Sequence, residues 1–318
     1  MRIATPPSKQ HFLAPYHGQK PAAPAWYKQA VACVPERTFF SSMGANIELL
    51  TWGKVGAPGL LFLHGHGAHA DWWTHIAPFF ADQWRCAALS YSGMGRSEWR
   101  ADGYQIDDFV QEAQDTVNAA QLNTGPTPPI IIGHSFGGAV GIRLAAKSSS
   151  FGGLIAIDTP INVGADLLEK FKTEAPKTYS EHLRFDSLKS GLSRFRLSPA
   201  QPCDNHFIAD YIARCALEEH NDGWSWRFDP RRVEPDNKPD HEIFPQIRCP
   251  IAYIYGDRSS LVTSQSLQNS LKVFPKATPL VAIPDAAHHV LIDQPLALVS
   301  SLRALLACWP PQHNFPHK

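Results

Sequence analysis

The feature that most constrains this chain is a buried-looking strand running straight into a knot of small residues. Ile130, Ile131 and Ile132 are followed by Gly133-His134-Ser135-Phe136-Gly137-Gly138, then by Val140, Leu144 and Ala145 at helical spacing. A β-branched run suits a strand covered on both faces, and the following period suits a helix. Where the two meet, Gly133-x-Ser135-x-Gly137 fits a turn so sharp that the serine is held strained, with its hydroxyl above the sheet. Neighbours within two residues must then be small, as Gly133, Gly137 and Gly138 are, and Gly141 leaves room for the helix to pack. The bare pattern arises by accident in about 0.1 of chains this long. A phosphate-binding helix start is the alternative, but the stretch has neither the lysine of a P-loop nor G-x-G-x-x-G spacing.

The rest of the chain alternates around this point. Residues 37–42 and 46–53 predict two strands about the turn Met43-Gly44-Ala45-Asn46. Strands are predicted at 59–65, 85–93 and 152–160. Helices are predicted at 71–84, capped by Asp71, and at 106–122, with an apolar stripe of Phe109, Ala113 and Val117. The rhythm returns at 249–257 (strand), 264–274 (helix), 278–284 (strand) and 294–309 (helix). Alternating strands and helices predict an α/β fold, a mostly parallel doubly wound sheet with helices on both faces. Between 161 and 244 the rhythm fails. Helical patterns at 164–174 and 204–220 predict a mainly helical cap inserted into the core, which itself comprises 31–160 and 245–310. Residues 1–30, with Pro6, Pro7, Pro15, Pro21 and Pro24, read as a loose arm, and 311–318 as a tail.

Composition excludes several functions. The 29 basic residues balance the 29 acidic ones, so no field favours nucleic acid or an anionic membrane. No apolar run reaches 18 residues, so no membrane span is expected. The first thirty residues lack the apolar centre of a signal peptide, so a cytoplasmic location is expected. Six scattered cysteines without CxxC read as reduced thiols. His64, His66 and His69 are separated by Gly65 and Gly67 and lack metal-ligand spacing; neither a metal nor a cofactor is expected.

A serine nucleophile needs a base, an acid to orient it, and donors for the developing oxyanion. The base is sought in Ile283-Pro284-Asp285-Ala286-Ala287-His288-His289, where either histidine could reach back over the sheet. Main-chain N–H groups of His66 and of Phe136, the residue after the nucleophile, are the candidate donors. Two aspartates end strands and could orient the imidazole: Asp158 and Asp257.

Together these residues resemble the α/β-hydrolase superfamily, across about 38–160 and 245–308. The matching pieces are His64-Gly65-His66-Gly67, Ser92-Gly93-Met94-Gly95-Arg96-Ser97, the Gly133–Gly138 turn, and His288 seven residues before Pro295. The resemblance favours His288 over His289, and residues 223–230 look like a segment of capped serine-hydrolase-like members. Two departures stand out. The family usually carries an aspartate where Ser259 stands, which turns attention to Asp158. It also usually carries an aspartate where this chain has Ser90-Tyr91-Ser92.

Dehalogenases and epoxide hydrolases of this layout use an aspartate nucleophile, which Ser135 argues against. The expectation is a serine hydrolase that cleaves a small to medium, largely apolar carboxylic ester through an acyl-enzyme. Carbon–carbon bond hydrolysis and perhydrolysis are alternatives on the same residues, and a non-catalytic ligand binder is the alternative of another class. Trp72, Trp224 and Trp226, with Phe207, Tyr211 and Phe228, are candidates to wall a pocket for a small-molecule substrate.

Overall fold

A strand that is apolar at every position needs cover on both faces, and the order of elements supplies it. The computed structural model describes residues 11–161, 183–231, 233–234 and 240–309. In chain order it runs α1 (Ala25–Ala32), β1 (Glu36–Ser42), β2 (Ala45–Trp52), β3 (Gly59–Leu63), β4 (Arg85–Leu89), the short β5 (Tyr104–Gln105), α2 (Ile106–Ala119), β6 (Ile130–His134), α3 (Phe136–Lys147) and β7 (Gly153–Ile157). An insertion follows with β8 (Arg184–Phe185), α4 (Leu188–Leu192), α5 (His206–Cys215), β9 (Leu217–His220), β10 (Gly223–Trp226), β11 (Val233–Glu234) and α6 (Asp240–Ile243). The chain then closes with β12 (Ile251–Gly256), α7 (Ser264–Leu271), β13 (Leu280–Ile283), α8 (Val290–Asp293) and α9 (Pro295–Ala307).

Eight strands form one sheet in the order β1-β2-β4-β3-β6-β7-β12-β13. The six from β4 to β13 are parallel, and β1 and β2 join antiparallel at one edge. Side chains alternate across it. Leu60, Phe62, Ile130, Ile132, Ile155 and Ile157 face one apolar cluster with α8 and α9; Leu61, Leu63, Ile131, Leu154 and Ala156 face another with α2 and α3. The expected stripe of α2, Phe109, Ala113 and Val117, is buried in the second. From β3 the chain steps to β4 on one side and then crosses back to β6 on the other. In open parallel sheets such a reversal leaves a crevice at the carboxyl ends of the strands, here beyond Leu63 and His134.

Three local expectations change. The helix expected at 71–84 is replaced by two short 3-10 turns, Ala70–Trp73 and Ala77–Phe79. Pro78 cannot donate to a helical ladder. Trp72, Trp73, Ile76, Ala77 and Phe80 are all buried rather than arrayed as a stripe, and the Asp71 side chain accepts from Arg37 instead of capping. The helix expected at 204–220 ends at Cys215, after which β9 pairs with β10 through the two-residue turn Asn221-Asp222; with β8 they form a three-stranded sheet inside the insertion. The segment read as a loose arm contains α1 and packs on the insertion. Leu13 and Tyr27 are buried, Tyr16 Oη lies 2.9 Å from His206 Nδ1, and Arg214 donates to the Gly18 carbonyl at 2.7 Å. Prolines exclude helix only where they fall, and 25–32 has none. The helical pattern at 164–174 lies outside the described residues.

The missing aspartate before the Gly93–Ser97 turn has a substitute from the neighbouring strand. Fully buried Glu48 of β2 accepts from Ser90 Oγ (2.6 Å) and Arg96 N (3.0 Å), and its other oxygen pairs with Arg37. Gly95 approaches so closely that a side chain there would strike Ser90 and Glu48. A carboxylate one bond longer, reaching from the next strand, thus satisfies the same turn.

Candidate active site

Ser135 sits between β6 and α3 with φ 54° and ψ −120°, a backbone region that L-residues other than glycine rarely occupy. Strain of this kind costs on the order of 1–3 kcal/mol and persists only where the surroundings over-determine it. Here they do. Ser135 N donates to Ile157 O of β7 (2.9 Å), and Ser135 O accepts from Gly138 N (2.9 Å) and Thr159 Oγ1 (3.1 Å). The glycines are required by contact. A Cβ on Gly133 would meet Gly137 O and Gly138 Cα, one on Gly137 the carbonyls of Leu63 and His64, and one on Gly138 the Thr159 hydroxyl.

The late histidine loop and an acid meet beside this turn. His288 Nδ1 lies 2.7 Å from Asp158 Oδ2, with both side chains buried. The carboxylate accepts, so Nδ1 carries the proton and Nε2 is left free as a base. His289 makes no such contact; its ring lies against Trp72 (5.5 Å) and His288 (4.9 Å). Asp158 directly follows β7, one strand along from Ser135. Its Oδ1 accepts from Gly256 N (2.9 Å) and its Oδ2 also from Ser259 Oγ (2.6 Å). The rival acid, Asp257, is exposed, and only its main chain is bonded in the sheet, to Ile283 O. Gly256 lets the histidine loop approach, since a side chain there would strike the carbonyls of Ala286 and Ala287.

The loop is tied to the Ser135 turn as well. His134 Nε2 donates to the His288 carbonyl (2.9 Å), and the two rings lie 4.9 Å apart. Burial pushes the His134 imidazole down to about 3 and that of His64 likewise to about 3, so both are neutral. Tyr91 N donates to His64 Nε2 (3.1 Å), leaving His64 Nδ1 to donate to Gly65 O (2.7 Å); this histidine shapes the loop and has no free nitrogen for a metal. Among the described residues, the His134, His288 and His289 nitrogens that could take a metal all lie within 4.8 Å of one another. His134 Nε2 and His288 Nδ1 are already committed to the hydrogen bonds above.

The side chains of the two residues proposed to supply oxyanion donors are neighbours. The His66 ring packs edge-on against Phe136 (5.8 Å) and Phe228 (5.5 Å). Phe136 opens α3, where an N–H has no intrahelical partner. Residues 227–231 run from the insertion to the Gly93–Ser97 turn and the oxyanion loop. Asp229 N donates to Gly93 O (2.8 Å), Tyr104 Oη donates to Asp229 Oδ2 (2.6 Å), and β11 pairs with β5. Phe228 thereby comes to rest beside Gly67. Of the expected pocket residues, Trp72 lies beside His289. Trp226 packs on Phe185 and Phe195 within the insertion, and Trp224 pairs across to Phe185. Phe207 packs on Trp26 and Tyr27.

Sequence reasoning missed a clip beneath the histidine loop. Asp293 accepts from Ala287 N (2.8 Å) and Gln201 Nε2 (2.9 Å), while Gln201 Oε1 accepts from His289 N (3.1 Å). Asn205 Nδ2 adds a bond to Ile292 O (2.8 Å). Burial pushes the Asp293 carboxyl up to about 6. Nothing local in the sequence links Gln201 to a loop nearly ninety residues away.

Comparison with known proteins identifies the family and the fold. Residues 60–301 match the alpha/beta hydrolase family. The chain is 26% identical over 264 residues to the esterase Rv0045c of Mycobacterium tuberculosis, covering 82% of this chain and 86% of that protein. It is 31% identical over 137 residues to a human serine hydrolase-like protein, covering 42% of this chain and 64% of that one. In structure it resembles E-2-(acetamidomethylene)succinate hydrolase (TM-score 0.73, 16% identity, 86% of this chain and 100% of the other) and the esterase Rv0045c (TM-score 0.64, 21% identity, 96% and 100%). Over three-quarters of its length, from the strand before the oxyanion loop to the last helix, this chain belongs to the alpha/beta hydrolase family.

Proposed function

We propose that this protein is a serine hydrolase that cleaves a small to medium, largely apolar carboxylic ester. The observation that carries the reading is the 2.7 Å bond from His288 Nδ1 to buried Asp158, on a loop tied to a serine held at φ 54°. Ser135 Oγ attacks the ester carbonyl while His288 Nε2 takes its proton. The tetrahedral oxygen takes its negative charge between the N–H groups of His66 and Phe136. Asp158 holds the imidazole in the tautomer that leaves Nε2 basic and stabilises the imidazolium. The imidazolium gives its proton to the departing alkoxide, leaving Ser135 acylated. Water, deprotonated by the same nitrogen, then releases the acid. Likeness to proteins described as esterases supports ester hydrolysis. Trp72, beside His289, is assigned to the acyl pocket, with Phe228 above the oxyanion loop.

Turnover of p-nitrophenyl esters over increasing acyl length tests the reading. A maximum at short to medium chains, abolished by Ser135→Ala, is expected. Absence of turnover at every length by well-folded protein overturns it.

A further inference from the structure

Ser259 occupies the position where the resemblance leads one to expect the acid, and its hydroxyl is not free to rotate. Its oxygen accepts from two main-chain donors, Leu261 N (3.2 Å) and Val262 N (3.1 Å). With the lone pairs so engaged, its single proton is directed at Asp158 Oδ2, 2.6 Å away. That is the same oxygen that accepts from His288 Nδ1. Ser259 is itself buried, at 8% exposure, so no water competes freely for the bond. Gly256 N holds the other oxygen, and the carboxylate plane is thereby set from both sides.

We propose that Ser259 is a positioning residue, a fixed donor that aims Asp158 at His288 and allows the acid to reside on β7 rather than on the loop after β12. The inference rests on the reading of Asp158 as the orienting acid. It accounts for two observations together: the carboxylate bonded to His288 follows β7, the strand beside β12, and the position where the resemblance leads one to expect an acid holds a residue that can only donate to that carboxylate. Asp158 stands at φ 44°, itself an uncommon backbone conformation for a residue with a side chain, so its aim is not set by relaxed local geometry.

The test uses the full-length protein and a p-nitrophenyl ester. Ser259→Ala is expected to lower kcat about 10- to 100-fold, the range for losing a hydrogen bond to a charged group, with KM changed by less than about threefold. Ser259→Thr, which keeps the hydroxyl, is expected to retain most of kcat. In the Asp158→Asn background, Ser259→Ala is expected to cost less than about threefold more, because the two act through one contact. Wild-type kcat in Ser259→Ala, or an equal loss in both backgrounds, overturns the proposal. Turnover that survives Asp158→Asn alone overturns instead the assignment of the acid on which it rests.

Discussion

His134 Nε2 donates to the main-chain oxygen of His288 across 2.9 Å, joining the residue before the proposed nucleophile to the proposed base, 154 positions along the chain. Replacing His134 with Phe leaves a buried carbonyl unpaired, which costs about 1–3 kcal/mol. His134→Phe is therefore expected to lower the urea midpoint by a corresponding amount and to reduce kcat by loosening His288. Unchanged stability would mean that the bond is not formed in solution.

The acid is settled by comparing two substitutions. Asp158→Asn is expected to reduce ester turnover by about 10³–10⁴-fold, as for a triad acid whose loss leaves the wrong tautomer. Asp257→Asn, at an exposed carboxylate, is expected to leave it within about threefold. Asp158→Asn combined with Ser259→Asp returns a carboxylate to the loop after β12 and is expected to regain part of the loss.

Stability should fall in acid. His64 and His134, held near 3, and His75, held near 4 by burial and donating to Leu291 O (2.7 Å), are all neutral when folded. Unfolded, each titrates near 6.5. Between those values the unfolded chain binds protons that the folded chain refuses, so stability drops as pH falls, by up to about 1.4 kcal/mol per pH unit for each histidine. Asp293, raised to about 6, works in the opposite direction between about 4 and 6, as does Glu112, which burial also raises, but burial lowers His66 and His289 as well, so five histidines stand against two acids. Urea unfolding at pH 7 and pH 5 is expected to show the loss, and His75→Gln to show a smaller one.

Glu48 should carry the Gly93–Ser97 turn. Glu48→Ala removes a fully buried carboxylate, leaving Ser90 Oγ and Arg96 N without their acceptor and Arg37 paired with Asp71 alone; losing charged hydrogen bonds of this kind costs on the order of 1.5–3 kcal/mol each. Adding Ser90→Asp is expected to restore part of that stability, because the acid then stands where the family usually has it. Thermal unfolding of the three proteins measures both effects.

What was legible in the sequence follows from range. The Gly133–Gly138 turn was readable because its demands are local: three small residues within three positions of a serine, after a strand and before a helix. The strand pattern was readable because residues such as Ile130–Ile132 are buried on both faces and carry no polar alternation. Asp158 and Asp257 stayed unresolved because both end strands; only the fold shows Asp257 turned outward and Ser259 turned in. Residues 71–84 misled because aromatics that are buried all round mimic a helix when Pro78 is discounted. Glu48 for the missing aspartate, and Gln201 and Asn205 beneath the histidine loop, are partners brought from other strands or from the insertion, and no spacing along the chain encodes them.

The most direct measurement is labelling with a fluorophosphonate, followed by intact mass and peptide mapping. The account predicts one adduct per chain on Ser135, lost in Ser135→Ala and strongly slowed in His288→Ala. A wild-type protein that remains unlabelled, or a Ser135→Ala variant that labels equally, would contradict it.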